Sequence, residues 1–137
     1  MKSYTDITQS KKLVEILPNE SADQTWEIIA IAGANLDVPE EMQYWHNGNT
    51  PCILNSKIGI PCWSLAALLQ IMPHCIDVRH ELVFVRYDLE LGKLSDNKGW
   101  YVMYDNVNHF VNIYIAKSNL LDACVEMIIK LHEQKLI

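Results

Sequence analysis

Cys62 and Trp63 stand side by side just ahead of an apolar run, Ser64 to Met72, that has the spacing of a helix. The unpaired amides of a helix N-terminus lower the pKa of a nearby thiol, and the thiolate is the nucleophilic form of cysteine. His46, His74, His80 and His109 are the residues able to serve such a thiol as a base. Against this, no Cys-Gly or Gly-x-Cys turn surrounds Cys62, and a free cysteine beside a tryptophan more often packs as a small apolar side chain. The expectation is a buried thiol, with a thiol enzyme using Cys62 kept as an alternative and no catalytic residue assigned.

Metal chemistry has less to work with. Cys52, Cys62, Cys75 and Cys124 contain no close pair of the kind structural zinc sites use, and His74-Cys75 with His80 is the nearest approach to a ligand cluster. No metal and no cofactor are expected. Carboxylates that could divide acid and base work occur at Glu40-Glu41, at Asp88 and Glu90 on one strand face, and at Asp122 and Glu126 on one helix face. The last two sets fall on the polar side of amphipathic segments, where water solvates them, so none is given a role. Glycine-rich phosphate loops, Gly-x-Ser-x-Gly, His-Glu-x-x-His and the EF-hand pattern are all absent from the sequence. Tyr44, Trp45, Trp100, Tyr101 and Tyr104 offer anchors for a recognition surface, although the three in strand-like segments are expected to pack in the core.

Several elements must position these residues. Gln9 to Leu17 has helical spacing with Ser10 as cap and Pro18 as stop, and Trp26 to Ile31 reads as a buried strand, with a helix continuing from Ser21 as the alternative. Gly33 to Gly59, with Pro39, Pro51 and the turn Asn47-Gly48-Asn49, is a long excursion holding one short strand near Cys52 to Leu54. Pro61 to Met72 predicts a helix capped by Ser64 and ended by Pro73, apolar nearly all round and hence central in the core. From Glu81 to Leu91, apolar Val83, Val85, Tyr87, Leu89 and Leu91 alternate with Arg86, Asp88 and Glu90, the period of a strand. Turns at Gly92–Gly99 and Asp105–Asn108 join it to strands at Trp100–Tyr104 and Phe110–Ala116, an antiparallel meander. Ser118 and Asn119 then open a helix running to Leu136, with Asp122, Glu126 and Lys130 as its polar stripe.

The whole chain bounds what these elements serve. Its 137 residues, half of them apolar and 20% charged, suit one domain, 1–137, that folds without disulfides or metals. Eleven Lys plus Arg against seventeen Asp plus Glu give a net charge of -6, and Lys11-Lys12 is the only adjacent basic pair. Such a surface repels a phosphate backbone, so nucleic acid is not an expected partner. No apolar stretch reaches the ~18 residues of a membrane span, and the opening residues lack the apolar core of a signal peptide. The expected location is the cytoplasm, where the cysteines stay reduced.

In four stretches the chain resembles a known family. They are Gln9-Ser10-Lys11-Lys12-Leu13, Leu17-Pro18-Asn19-Glu20-Ser21-Ala22-Asp23, Ile60-Pro61-Cys62-Trp63-Ser64-Leu65-Ala66-Ala67-Leu68-Leu69 and Leu121-Asp122-Ala123-Cys124-Val125-Glu126-Met127. The family is one of short uncharacterised proteins from anaerobic gut bacteria and from their prophages and other mobile elements. The resemblance implies an intracellular protein encoded near phage-type genes and implies no activity, ligand or catalytic residue.

The expected fold is α+β, an antiparallel sheet of three to five strands with the 63–72 helix and the C-terminal helix packed on one face. The expected function is that of a small accessory or interaction protein of phage or mobile-element type, binding a protein partner or itself. A small-molecule site between the sheet and residues 33–59 is the alternative from a different class, beside the thiol enzyme.

Overall fold

The structure is a computed structural model that describes residues 2–26, 52–53, 59–108 and 110–137. Most of the 33–59 excursion therefore lies outside the described residues, and with it Glu40, Glu41, Tyr44, Trp45 and His46, as does His109. The fold is α+β, as expected. Its contacts divide it into two compact units, one spanning Ser3–Ala67 and the other Leu68–Ile137 together with Lys2.

In the first unit the amide of Gln9 donates to Asp6 Oδ1 (2.8 Å) and the amide of Asp6 to Gln9 Oε1 (3.1 Å). This reciprocal capping box starts helix α1 at Ile7–Val14, earlier than the expected Gln9–Leu17. Ser10, expected as the cap, sits inside the helix and is fully buried. Asp6 wins because the glutamine three residues on returns its hydrogen bond, which Ser10 has no partner to do. After Pro18 a 3₁₀ turn at Asn19–Ser21 leads into strand β1, Gln24–Trp26. It pairs antiparallel with β2, Cys52–Ile53, and with β3, Ile60–Cys62, in the order β2-β1-β3. The expected helix start at Pro61 is therefore a strand, and Pro61 is tolerated there because β3 is an edge among the described strands. Gly59 enters β3 with φ +147, and a Cβ on it would strike the carbonyl of Trp26.

Helix α2, Leu65–Ile71, begins where Ser64 Oγ accepts the amide of Ala67 (3.2 Å). The division between the units falls inside it. Ala67, Leu68 and Met72 are buried while Ala66 and Gln70 are exposed, so it buries one side, whereas burial of most of its circumference was expected.

The second unit is a four-stranded antiparallel meander: β4 Cys75–His80, β5 Val83–Lys93, β6 Trp100–Asp105 and β7 Val111–Lys117, in that order. Helix α3, Leu120–Glu133, packs on β6 and β7. Its cap is Asn119, whose Oδ1 accepts the amide of Asp122 at 2.8 Å. Leu121, Cys124, Met127, Ile128 and Leu131 are fully buried, and Val102, Tyr104, Ile113 and Ile115 are buried on the sheet. Each large apolar side chain so placed contributes roughly 1.5–3 kcal/mol. The sheet registers put Ile76, Tyr87, Leu89, Leu91 and Val102 on this same face. Pairing with β4 uses Val83–Asp88 of β5 and pairing with β6 uses Asp88–Lys93. Only Asp88 is shared, so the β4–β5 hairpin projects past the end of β6 by about 16 Å at the usual rise per residue.

Candidate functional site

Cys62, the first candidate for chemistry, ends β3 with its side chain turned inward. Thr5 is the hub that holds it. The Thr5 hydroxyl donates to Cys62 Sγ (3.4 Å), accepts the Trp63 amide (3.1 Å) and shares a hydrogen bond with Ser10 Oγ (2.8 Å). The Thr5 carbonyl accepts the Trp26 indole N–H (3.0 Å) and the Cys62 thiol (3.3 Å), while its amide donates to the Trp63 carbonyl (2.9 Å). Either hydroxyl can be the donor in the Thr5–Ser10 bond, since each carries one proton and can also accept. Outside this knot the Trp63 indole donates to Ser21 Oγ (2.9 Å), the Ser64 hydroxyl donates to Asp23 Oδ2, and the Tyr4 ring meets Trp26 edge-on at 5.8 Å.

Thr5, Ser10, Cys62 and Trp63 are all fully buried. Burial pushes the Cys62 thiol up from its ordinary value, outweighing the hydrogen bonds from Thr5 and Ser10 that pull it down. It therefore stays protonated at neutral pH, and none of its hydrogen bonds goes to a histidine. The helix N-terminus on which the thiol-enzyme alternative depends is capped by Ser64. The knot is a brace that ties the N-terminal segment and α1 to β3, with every donor matched to an acceptor.

The other residues singled out in the sequence are dispersed. His80 Nε2 pairs with the Tyr87 hydroxyl (2.8 Å), and the side chain of His74 is exposed. Among the described residues no group of three or more His, Cys, Asp or Glu is placed to hold a metal ion. Asp88 bonds Arg86 (3.0 Å), Asp122 bonds Lys2 (2.9 Å) and Glu126 bonds Lys117 (2.6 Å), all partly exposed to water. Trp100 lies under the Lys93 ammonium (5.4 Å), and Tyr104 is a core residue whose hydroxyl donates to the Pro73 carbonyl (2.6 Å). Tyr101 instead stands on the sheet face away from α3, stacked on Tyr114 with centroids 6.2 Å apart. Its hydroxyl donates to Glu90 (2.9 Å), and that bond raises its pKa.

No protein-family model, curated protein or solved structure matches the chain.

The surface itself then directs attention to the β4–β5 hairpin, of which the sequence pattern predicts only the second strand. Its tip is the turn Glu81-Leu82, with Glu81 at φ 54 and its carbonyl held by Arg79 Nε (3.0 Å). Leu82, Val83 and Phe84 follow one another there with 90%, 63% and 68% of their surface exposed. On the outward edge of β4, Asp77 and Arg79 are also exposed. The signal in the sequence was the apolar triplet beside a charged turn; it was absorbed into the strand pattern because alternation does not reveal which positions are covered. A second feature is a shallow groove of about 370 Å³ on the face bearing Tyr101, lined by Lys93, Leu94, Ser95, Tyr101, Met103 and Tyr114.

Proposed function

We propose that the protein is a small accessory protein that works by binding another protein chain, and that the β4–β5 hairpin is the element that binds. One observation carries this reading: three successive large apolar side chains, Leu82, Val83 and Phe84, are exposed at the end of a hairpin that leaves its own sheet. Apolar residues exposed singly are ordinary, whereas a run of three on a projecting element adds nothing to the fold and favours association. The intracellular setting near phage-type genes that the family resemblance implies goes with this role. The test is a photo-crosslinking residue placed at Leu82 in living cells. A discrete adduct that disappears when Phe84→Ser is added supports the reading, and a hairpin that crosslinks to nothing overturns it.

A small-molecule site is the second reading, and the observation favouring it is the groove beside the stacked Tyr101 and Tyr114 rings. Its size is that of a small-ligand pocket, though its openness leaves a ligand largely exposed to water. A ligand panel read by thermal shift tests it, because binding to the native state raises the melting temperature.

A further inference from the structure

Resting on the reading of the hairpin as a binding element, we propose that its partner is a second copy of this chain, joined through β4 edge to edge across a two-fold axis at Val78. Among the described strands β4 has β5 on one side and no neighbour on the other. Leu89 N–H donates to the His74 carbonyl (2.9 Å), and the register continues as Ile76↔Tyr87, Val78↔Val85 and His80↔Val83. The even-numbered residues of β4 therefore exchange backbone hydrogen bonds with β5, and the N–H and C=O groups of Asp77 and Arg79 point outward.

A second β4 arriving antiparallel must match odd residues to odd. Three of the registers that do so set charged residues of β4 against one another. One sets Asp77 against its own copy and another sets Arg79 against its own copy, and like charges directly opposite repel. The third, with Val78 on the axis, sets each Asp77 against the other chain's Arg79. Charge thus selects one register of three. Asp77 makes no hydrogen bond or close ion pair among the described residues, although Arg86 stands opposite it on β5 and attracts it, and the Arg79 guanidinium bonds the Glu81 carbonyl through Nε alone, so neither side chain is saturated.

The opposite face agrees with the same axis. Val78 would meet Val78 there, flanked on each side by Val85, all four being half-buried positions in the single chain. Val83 extends this apolar strip toward the tip. An edge guarded against self-pairing carries like charges, a proline or a bulge. The other edge of the sheet has a register shift between Tyr104 and Asp105 where β6 meets β7, whereas β4 pairs regularly and carries one charge of each sign. A short edge contact buries less than an obligate dimer does, so the association is reversible and grows with concentration.

Sedimentation equilibrium of the full chain up to roughly 1 mM, where even a weak association is half complete, is the first measurement. Wild type is expected to dimerise. Asp77→Arg alone and Arg79→Asp alone are each expected to weaken the dimer by roughly tenfold or more, because two-fold symmetry applies each change twice. Mixing these two variants restores a dimer, since every facing pair is again of opposite sign, and the double variant D77R/R79D dimerises by itself. Val78→Cys, which leaves the charges alone, is expected to crosslink to its own copy on oxidation. A monomeric wild type, a dimer indifferent to both reversals, or a dimer whose Val78→Cys form makes no such crosslink overturns the proposal. A monomer whose Leu82 crosslinker still captures one discrete partner leaves the binding hairpin standing and removes only the second copy.

Discussion

The brace around Thr5 and the tip of the β4–β5 hairpin invert the usual distribution of side chains in opposite ways. The brace holds hydroxyls, a thiol and the Trp26 indole N–H inside the N-terminal unit, and each finds a partner within hydrogen-bonding reach. At the tip, leucine, valine and phenylalanine keep most of their surface in water. A fully partnered polar group indoors stabilises, and an unpartnered one costs about 1–3 kcal/mol, so the brace is explained by the fold. An exposed apolar run gains nothing from the fold and is explained only by something outside it. The part of the sequence that looked chemical is thus structural, and the part that looked structural is the candidate for function.

The largest test of that contrast is Trp63→Ala. Trp63 is fully buried, and removing a core aromatic of this size costs about 3–5 kcal/mol, read by urea or thermal unfolding. Thr5→Val keeps the shape but strips the hydroxyl that accepts the Trp63 amide and meets Ser10, and the groups left unpaired are expected to cost about 2 kcal/mol. Thr5→Ser is expected to recover most of it. Should Thr5→Val be neutral, the brace is not a stabilising device and the comparison fails on that side. In both parents and variants Cys62 is expected to alkylate only as fast as the chain unfolds.

Alkali probes the same buried groups. Burial raises the Cys124 thiol to about 12 and raises Cys62 and the Tyr104 phenol as well. A group whose folded pKa lies above its unfolded value keeps its proton in the folded chain after the unfolded chain has lost it. Stability is then intact below the ordinary thiol pKa of 9.0 and falls as pH rises from there toward about 12. Between pH 9 and 10 a loss of roughly 1 kcal/mol from Cys124 is expected, and Cys124→Ala should flatten that part of the profile.

Periodicity made the C-terminal unit legible. The two strands after Leu91 and the Asn119-capped helix were visible because one face of each is covered by the same core, and Val83 to Leu91 was visible by its alternation although only Tyr87 of that face is buried. β4 was missed because Cys-Ile-Asp-Val-Arg-His buries only Ile76 fully, leaving a strand with almost no apolar period. β3 was read as the start of a helix, since Ile-Pro-Cys carries no strand pattern of its own and is held by Thr5 and Trp26 from far along the chain. The same distance hid the brace: Thr5 and Cys62 meet only when folded. Exposure hid the hairpin tip, because Leu82, Val83 and Phe84 look like core residues until a structure shows most of their surface in water.

The smallest expected effect is the one that divides the two regions most cleanly. Leu82→Ser with Phe84→Ser removes two large side chains that the fold leaves in water, so the folded chain is expected to lose no packing and its unfolding free energy to stay within about 0.5 kcal/mol of the parent. Association through the hairpin should fall in the same variant. Stability is measured by chemical denaturation at low protein concentration, where any dimer has dissociated and mass action adds nothing to the fold. A loss above about 1.5 kcal/mol there would mean that the tip folds back and packs in solution, as that is the scale on which a buried leucine or phenylalanine contributes. In that case the apolar run belongs to the core and the opposition between brace and tip dissolves. A neutral result leaves the tip with no role in holding the chain together, and its three apolar side chains with only an external surface to meet.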